Sequence, residues 1–302
     1  MIPAVPDFGV GPTPVPGTGD EVAPGLLRLT APNPGLMTGP GTNTYLIGAG
    51  DVAVVDPGPD DAGHRAALLA AAASRGTIRW ILVTHTHIDH APGAAALAEA
   101  TGAQVIGFGP ADGFAPDACV GDGWVLPLTG IDRGDHLTLE AVHTPGHASD
   151  HLCWLLRERA LLLTGDHVMH GSTVVIRPPD GDVATYLASL ARVRDLTPSV
   201  RSLGPGHGRV MEHVTEVIDA LIAHRLGRHA RIADAPPAAH EGSVDDLLPV
   251  VYADVTAPQL PVARFSLWAH LRFLAGQGRA EPLDTTAGAD TIETRWRWVP
   301  TS

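Results

Sequence analysis

Thr84-His85-Thr86-His87-Ile88-Asp89-His90 places three imidazoles and a carboxylate within a few positions of one another. The segment follows an apolar run at 78–83, broken only by Arg79, which reads as a buried strand. A strand end can aim several side chains at one point. Neutral imidazole together with carboxylate suits zinc and similar divalent ions. Matching pieces arrive further along in order. Val142-His143-Thr144-Pro145-Gly146-His147 closes a strand-like run at 137–142. Leu161-Leu162-Leu163-Thr164-Gly165-Asp166 is an apolar strand ending in a carboxylate. Leu203-Gly204-Pro205-Gly206-His207-Gly208 ends another strand in an imidazole. Each candidate is flanked by small residues, and glycine lets backbone approach closely. Four such strand ends converging on one place make a binuclear metal site.

The elements that must position these ends alternate along the chain. Strands are expected at 52–56, 78–83 and 104–108, with helices at 62–74 and 93–100 between them. Paired runs follow at 137–144, 152–156 and 160–164, then a helix at 183–196. This order suits two sheets covered by helices.

With these motifs the chain resembles the metallo-β-lactamase superfamily of hydrolases over roughly residues 20–210. Val54-Val55-Asp56-Pro57-Gly58 adds a further family marker. The resemblance implies an αββα sandwich holding two divalent ions, zinc above all. It assigns His85, His87 and His147 to the first ion, Asp89, His90 and His207 to the second, and Asp166 to a bridge between them. Asp56 supports the metal loop from behind the ligands. His143 is set aside because the family pattern selects the His after Pro-Gly, and His151 and Asp150 are placed where they can orient ligands. The bridging position is Asp and not Cys, which favours branches built wholly on His and Asp.

Composition fits an enzyme of this kind. The chain has 302 residues, a net charge of −13, and only Arg among its 20 basic residues. Bulk acidity argues against a general nucleic-acid binder. No apolar stretch approaches the ~20 residues needed to cross a bilayer, so no membrane partner is expected. A Pro/Gly-rich N-terminal arm at 1–24 carries no export pattern, which makes the cytoplasm the default. Cys119 and Cys153 are too few to staple a chain of this length and are expected to be buried, inert thiols.

The sandwich is expected at 25–210 and a smaller domain at 211–302. There, helical spacing at 212–233, a Ser243 N-cap before 244–252 and a helix at 261–275 precede two short strands at 280–283 and 292–299 around a polar turn at 284–290. Helices followed by a hairpin form a winged-helix pattern. A lactamase-type domain with such a tail is similar to the lactamase-beta-2-like group. That resemblance implies an endonuclease on single-stranded RNA, with a hydroxide shared by two metals attacking a phosphodiester and oriented by Asp89. Arg295 and Arg297 would guide the phosphate backbone. Asn43, His170, Ser172 and Thr173 are expected at the substrate rim. From Met211 onward eight Arg face twelve Asp and Glu, so no specific DNA partner is implied. The alternative is a small-molecule hydrolase such as a thioesterase, a glyoxalase II-like enzyme or a lactonase. A non-catalytic binding protein is the third class, disfavoured by the complete ligand set.

Overall fold

In the computed structural model the described residues are 5–111, 113–130, 135–235, 241–283 and 291–298. Among them, two seven-stranded sheets face each other. The first runs in the order Gly19–Ala23, Leu26–Thr30, Asn43–Ile47, Gly50–Val55, Gly76–Leu82, Gln104–Gly107, Ala118–Cys119. The second runs Gly9–Val10, Val210–Glu212, Ser202–Pro205, Leu161–Gly165, Leu152–Leu156, His136–His143, Val125–Thr129.

Helices α1 (Ala62–Ala73) and α2 (Gly93–Thr101) cover the outer face of the first sheet through Leu68 and Leu97 against Val52, Val54 and Ile81. Helices α3 (Val183–Asp195) and α4 (Val214–Ala233) cover the second through Leu190, Val217 and Leu221 against Cys153, Leu155 and Leu162. Between the sheets, Tyr45, Val55 and Leu82 meet Leu137, Trp154 and Leu163. The central strands are buried on both faces, which is why they read as continuous apolar runs rather than alternations. This is the expected αββα sandwich. Local signals agree with it: Asp61 and Asp182 cap α1 and α3 by accepting from the backbone N–H groups of His64 and Thr185.

The expected N-terminal arm is not separate from the sandwich. Gly9–Val10 pairs with Val210–Glu212 at the edge of one sheet, and Gly19–Ala23 pairs with Leu26–Thr30 at the edge of the other. Partner strands supply the order that so Pro- and Gly-rich a segment lacks alone. Nor does packing break at 210/211. The strand Val210–Glu212 lies within the second sheet, and α4 begins in the sandwich core (Val214, Val217, Ile218) and ends among different neighbours (Ile232, Ala233).

Those neighbours form a third apolar cluster. Helix α5 (Val244–Val251) opens on a capping box made by Ser243 and Asp246, and α6 (Leu260–Gly276) packs Leu267, Leu271 and Leu274 beside it. Trp296 and Trp298 lie buried in a three-stranded sheet of order Glu241–Gly242, Trp296–Trp298, Ala280–Pro282. The region is compatible with a small extra domain. The turn expected at 284–290 lies outside the described residues.

The arginines of the expected wing do not present free charge. Arg297 pairs with Glu241 at 3.0 Å and lies 3.5 Å from Glu281. Arg295 approaches Glu241 and Asp246, and Arg264 on α6 is held by Asp245. These carboxylates already occupy the guanidinium groups that a phosphate backbone would need. These contacts give no support to the reading of Arg295 and Arg297 as RNA guides. Cys153 is buried as expected, and burial pushes its thiol up to about 12, whereas Cys119 is exposed on an edge strand. No helix among the described residues is long and apolar enough to cross a membrane.

Candidate metal centre

The strands Gly50–Val55 and Gly76–Leu82 run parallel, as do Leu161–Gly165 and Ser202–Pro205. Parallel neighbours bring their carboxyl ends to one edge, where a crevice forms between the sheets. Asp56, the 84–90 loop, Asp166 and His207 all follow those ends, and His147 follows His136–His143 on the same side. A contact between the sheets closes the crevice floor: Thr42 bridges His207, and the Asn43 N–H donates to the Gly206 carbonyl at 2.7 Å. Space there is tight. A Cβ on Gly206 would lie 2.7 Å from His90 and 2.8 Å from Asp166.

The ligand candidates gather into two groups, His85 with His87 and His147, and Asp89 with His90, Asp166 and His207. Within each group the ligand atoms lie within 4.8 Å of one another. The Nδ1 of His87 faces both His85 Nε2 and His147 Nε2 at 2.9 Å. Asp166 stands between the groups, with Oδ2 3.8 Å from His147 and Oδ1 3.4 and 3.3 Å from His90 and His207. The carboxylate of Asp89 lies 3.1 Å from His207.

The far nitrogen of most of these rings is held from outside the cluster. His90 Nδ1–H donates to Asp56 at 2.8 Å, His207 Nδ1–H to the Gly41 carbonyl at 3.2 Å, and His147 Nδ1–H to the Val175 carbonyl at 2.7 Å. His85 Nδ1 meets Thr84 Oγ1, which itself donates to Asp56. Each of these bonds fixes a tautomer that turns the Nε2 lone pair inward, as metal-binding imidazoles require. The backbone N–H of Asp166 donates to His151 Nε2 at 3.2 Å, and that of Thr86 to Asp150 at 3.1 Å, so both residues brace the site as the sequence suggested. Asp56 accepts from the Thr84 N–H, the Thr84 hydroxyl and His90 while its own backbone sits at φ 51°, a strained value for a residue with a Cβ.

A divalent cation fits these residues. His90 Nε2, His207 Nε2 and Asp166 Oδ1 are buried without a hydrogen-bond partner, all in the second group. Native interiors rarely leave polar atoms in that state. Burial pushes His85, His87 and His147 down, the last to about 4, so that group offers neutral nitrogens. At His90 and His207 burial acts in the same sense but Asp166 outweighs it, joined by Asp56 and Asp89 at His90 and by Asp89 at His207. Both rise, His207 to about 9. The clustered carboxylates thus demand positive charge, which a cation supplies in place of protons.

The rim candidates separate. Asn43 is fully buried: its amide donates to the Pro205 and Gly208 carbonyls, and its oxygen accepts from Thr30. It clamps the His207 loop and has no group left for a substrate. His170 lies against Gly208 and pairs with Asp7 of the N-terminal segment at 2.8 Å. His143 stacks on Phe108 and bonds the Ser149 carbonyl. Ser172 and Thr173 do line a cavity, of about 430 Å³, between the sandwich and the C-terminal helices. Its other walls include Leu36, Met37, Val175 and Val262, with Arg225, Tyr252 and Ser266 among them. Residue type singles out neither Arg225 nor the carbonyls of Gly41 and Val175. A second cavity, lined by Thr86, His87, Phe108, Asp150 and Asp180, opens at the ligand loop itself.

We expect Asp56→Ala to lower zinc affinity about 10- to 100-fold, because His90 and Thr84 lose their shared acceptor. A competition titration against a chelator measures it, and parent-like affinity would remove Asp56 from the site.

Comparison with known proteins gives the family and the fold. Residues 37–207 match the family model described as Metallo-beta-lactamase superfamily. The Beta-lactamase-like protein 2 homolog of Drosophila melanogaster is 30% identical over 268 residues, 84% of this chain and 89% of that protein. An Atrochrysone carboxyl ACP thioesterase of Aspergillus fumigatus is 33% identical over 223 residues, 70% of this chain and 65% of that one. A crystal structure of a beta-lactamase domain protein from Burkholderia ambifaria superposes with a TM-score of 0.75 at 22% identity, covering 95% of each chain, a likeness of fold.

Proposed function

The chain belongs to the metallo-beta-lactamase superfamily and is a hydrolase, and from that premise we propose that it cleaves a small-molecule thioester with two divalent ions, zinc foremost. His85, His87 and His147 would hold one ion, Asp89, His90 and His207 the other, and Asp166 both. A pair of divalent cations supplies Lewis acidity and a water deprotonated near neutral pH.

The chain's own residues do the rest. Asp56, Gly41 and Val175 keep the rings turned inward, so no reorganisation is needed when substrate arrives. Asp89, half-buried and 3.1 Å from His207, stands where a carboxylate can orient the attacking water. The departing thiol is a good leaving group, which relieves the site of needing a strong acid.

The observation that carries this reading over RNA is the 430 Å³ cavity. Its lining is apolar and polar in about equal measure, with Leu36, Met37 and Val262 beside Arg225, Tyr252 and Ser266, and Val175, which also lines it, accepts the His147 hydrogen bond. An acyl group seated there would lie one residue, Val175, behind the His147 ring. Two relatives whose names include thioesterase, from Aspergillus fumigatus and Emericella nidulans, support the same substrate class. The RNA reading rests on the likeness of the tail to the lactamase-beta-2-like group, and Arg295 and Arg297, the backbone guides it implies, lie beside Glu241, Asp246 and Glu281.

The test offers zinc-loaded protein hexanoyl-N-acetylcysteamine and a single-stranded RNA in parallel. Release of free thiol without RNA cutting is expected. RNA cleavage with no thioester turnover would overturn the proposal.

A further inference from the structure

Arg225 is 4% exposed, and among the described residues it has no carboxylate partner. Its Nη2 donates to the Val174 carbonyl at 2.7 Å, its guanidinium lies 5.3 Å from the centre of the Tyr186 ring, and its Nε has no hydrogen-bond partner. The next guanidinium groups along α4, Arg228 and Arg231, share a single carboxylate, that of Asp254, at 3.1 and 3.0 Å. A chain of net charge −13 therefore concentrates an excess of positive charge at this one buried place. Arginine cannot shed its proton, so a buried guanidinium without a counter-charge is costly.

Arg225 lines the 430 Å³ cavity together with Arg228, Tyr252 and Ser266. The Tyr252 hydroxyl is also buried, beside Ser266. A cavity lined about equally by apolar and polar groups thus has a cationic corner with hydroxyl donors beside it. Val174, whose carbonyl accepts from Arg225, is followed on the same wall by Val175, whose carbonyl accepts from His147.

Resting on the thioesterase reading above, we infer that this corner receives an oxyanion carried by the substrate, a carboxylate at the end of the acyl group remote from the thioester. The guanidinium and hydroxyl groups bind that carboxylate. The apolar part of the lining holds the carbon chain, and the thioester carbonyl is directed past Val175 to the metal centre. The preferred substrates are then acyl thioesters bearing a distal carboxylate.

Two N-acetylcysteamine thioesters of equal chain length test this on the zinc-loaded protein: adipoyl, which ends in a carboxylate, and hexanoyl, which ends in a methyl. We expect adipoyl to be favoured about tenfold or more in kcat/KM, mainly through KM, as befits a charge-assisted hydrogen bond. Arg225→Gln should bring that ratio close to one, and Arg225→Lys should restore part of it. Loss of activity on both substrates with the ratio intact would make Arg225 a clamp on Val174 and overturn the inference. So would a parent that shows no preference. If coenzyme A thioesters outrun both probes and that advantage collapses in Arg225→Gln, the oxyanion is the carrier's phosphate, and the acyl carboxylate is overturned. Should Arg225→Gln fail to fold, Tyr252→Phe replaces it, with a reduced ratio expected and an unchanged one overturning.

Calorimetric titration with adipate separates this from the reaction itself. Even if neither thioester turns over and the thioesterase reading falls, adipate that binds the parent and not Arg225→Gln upholds the carboxylate site. Equal binding, or none to the parent, overturns it.

Discussion

Asp166→Ala is expected to lower turnover about 1,000-fold or more while the protein stays folded. Asp166 is the one residue whose two oxygens face both ligand groups, Oδ2 toward His147 and Oδ1 toward His90 and His207. Truncation removes the side chain that fixes the spacing of the two cation positions, and metal assistance accounts for several kcal/mol of barrier lowering, each ~1.4 kcal/mol being tenfold in rate. The backbone supports survive: the Asp166 N–H still donates to His151, and Gly165 still packs against Thr84. Steady-state kinetics at saturating zinc, with circular dichroism as the check on folding, measure the loss. A folded variant within tenfold of the parent would show that the groups do not act as one centre.

The sequence revealed this site because its ligands are side chains at strand ends. An apolar run that stops at His or Asp is visible without a fold, and the seven candidates do meet. What holds the ligands in place was only partly visible. Asp56 stands out in a strand-end motif, and Thr84, His151 and Asp150 lie beside the ligands, but the carbonyls of Gly41 and Val175 leave no trace in residue type. Asn43 misled for a related reason. Its amide suits a substrate contact, and only the fold shows it spent on Pro205, Gly208 and Thr30.

The tail shows a similar split. Arg and Trp alternate at 295–298, and the tryptophans lie inward because a strand sends successive side chains to opposite faces. The counter-charges come from far along the chain, Glu241 being 56 residues before Arg297 and Glu281 being 16. No local pattern announces such pairs. Near the boundary expected at 210, α4 keeps one helical period while serving two apolar clusters. Arg225 is hidden by its residue type: four residues after Leu221 and seven after Ile218, its spacing puts it on the buried stripe of α4, where an arginine is not looked for. Edge strands as short as Gly9–Val10 carry no periodic signal at all and exist because Val210–Glu212 offers them a partner.

Stripping the metal with a chelator should abolish hydrolysis, and zinc should restore it at two ions per chain with a marked gain in thermal stability. The stripped site retains the buried, unpartnered His90 Nε2, His207 Nε2 and Asp166 Oδ1. It also keeps Asp56, Asp89 and Asp166 in one buried cluster, where only protonated imidazoles balance them. An ion that binds the folded chain and not the unfolded one adds about 4 kcal/mol at a thousandfold excess over its Kd. For a protein of this size that is a rise in Tm on the order of 10 °C, more if both positions bind tightly. Elemental analysis after desalting gives the stoichiometry, and a melting scan with and without zinc gives the shift. A single ion per chain at saturation would break the pairing of the two groups. A Tm unmoved by zinc would mean that the orphaned atoms in the crevice answer to something other than a cation.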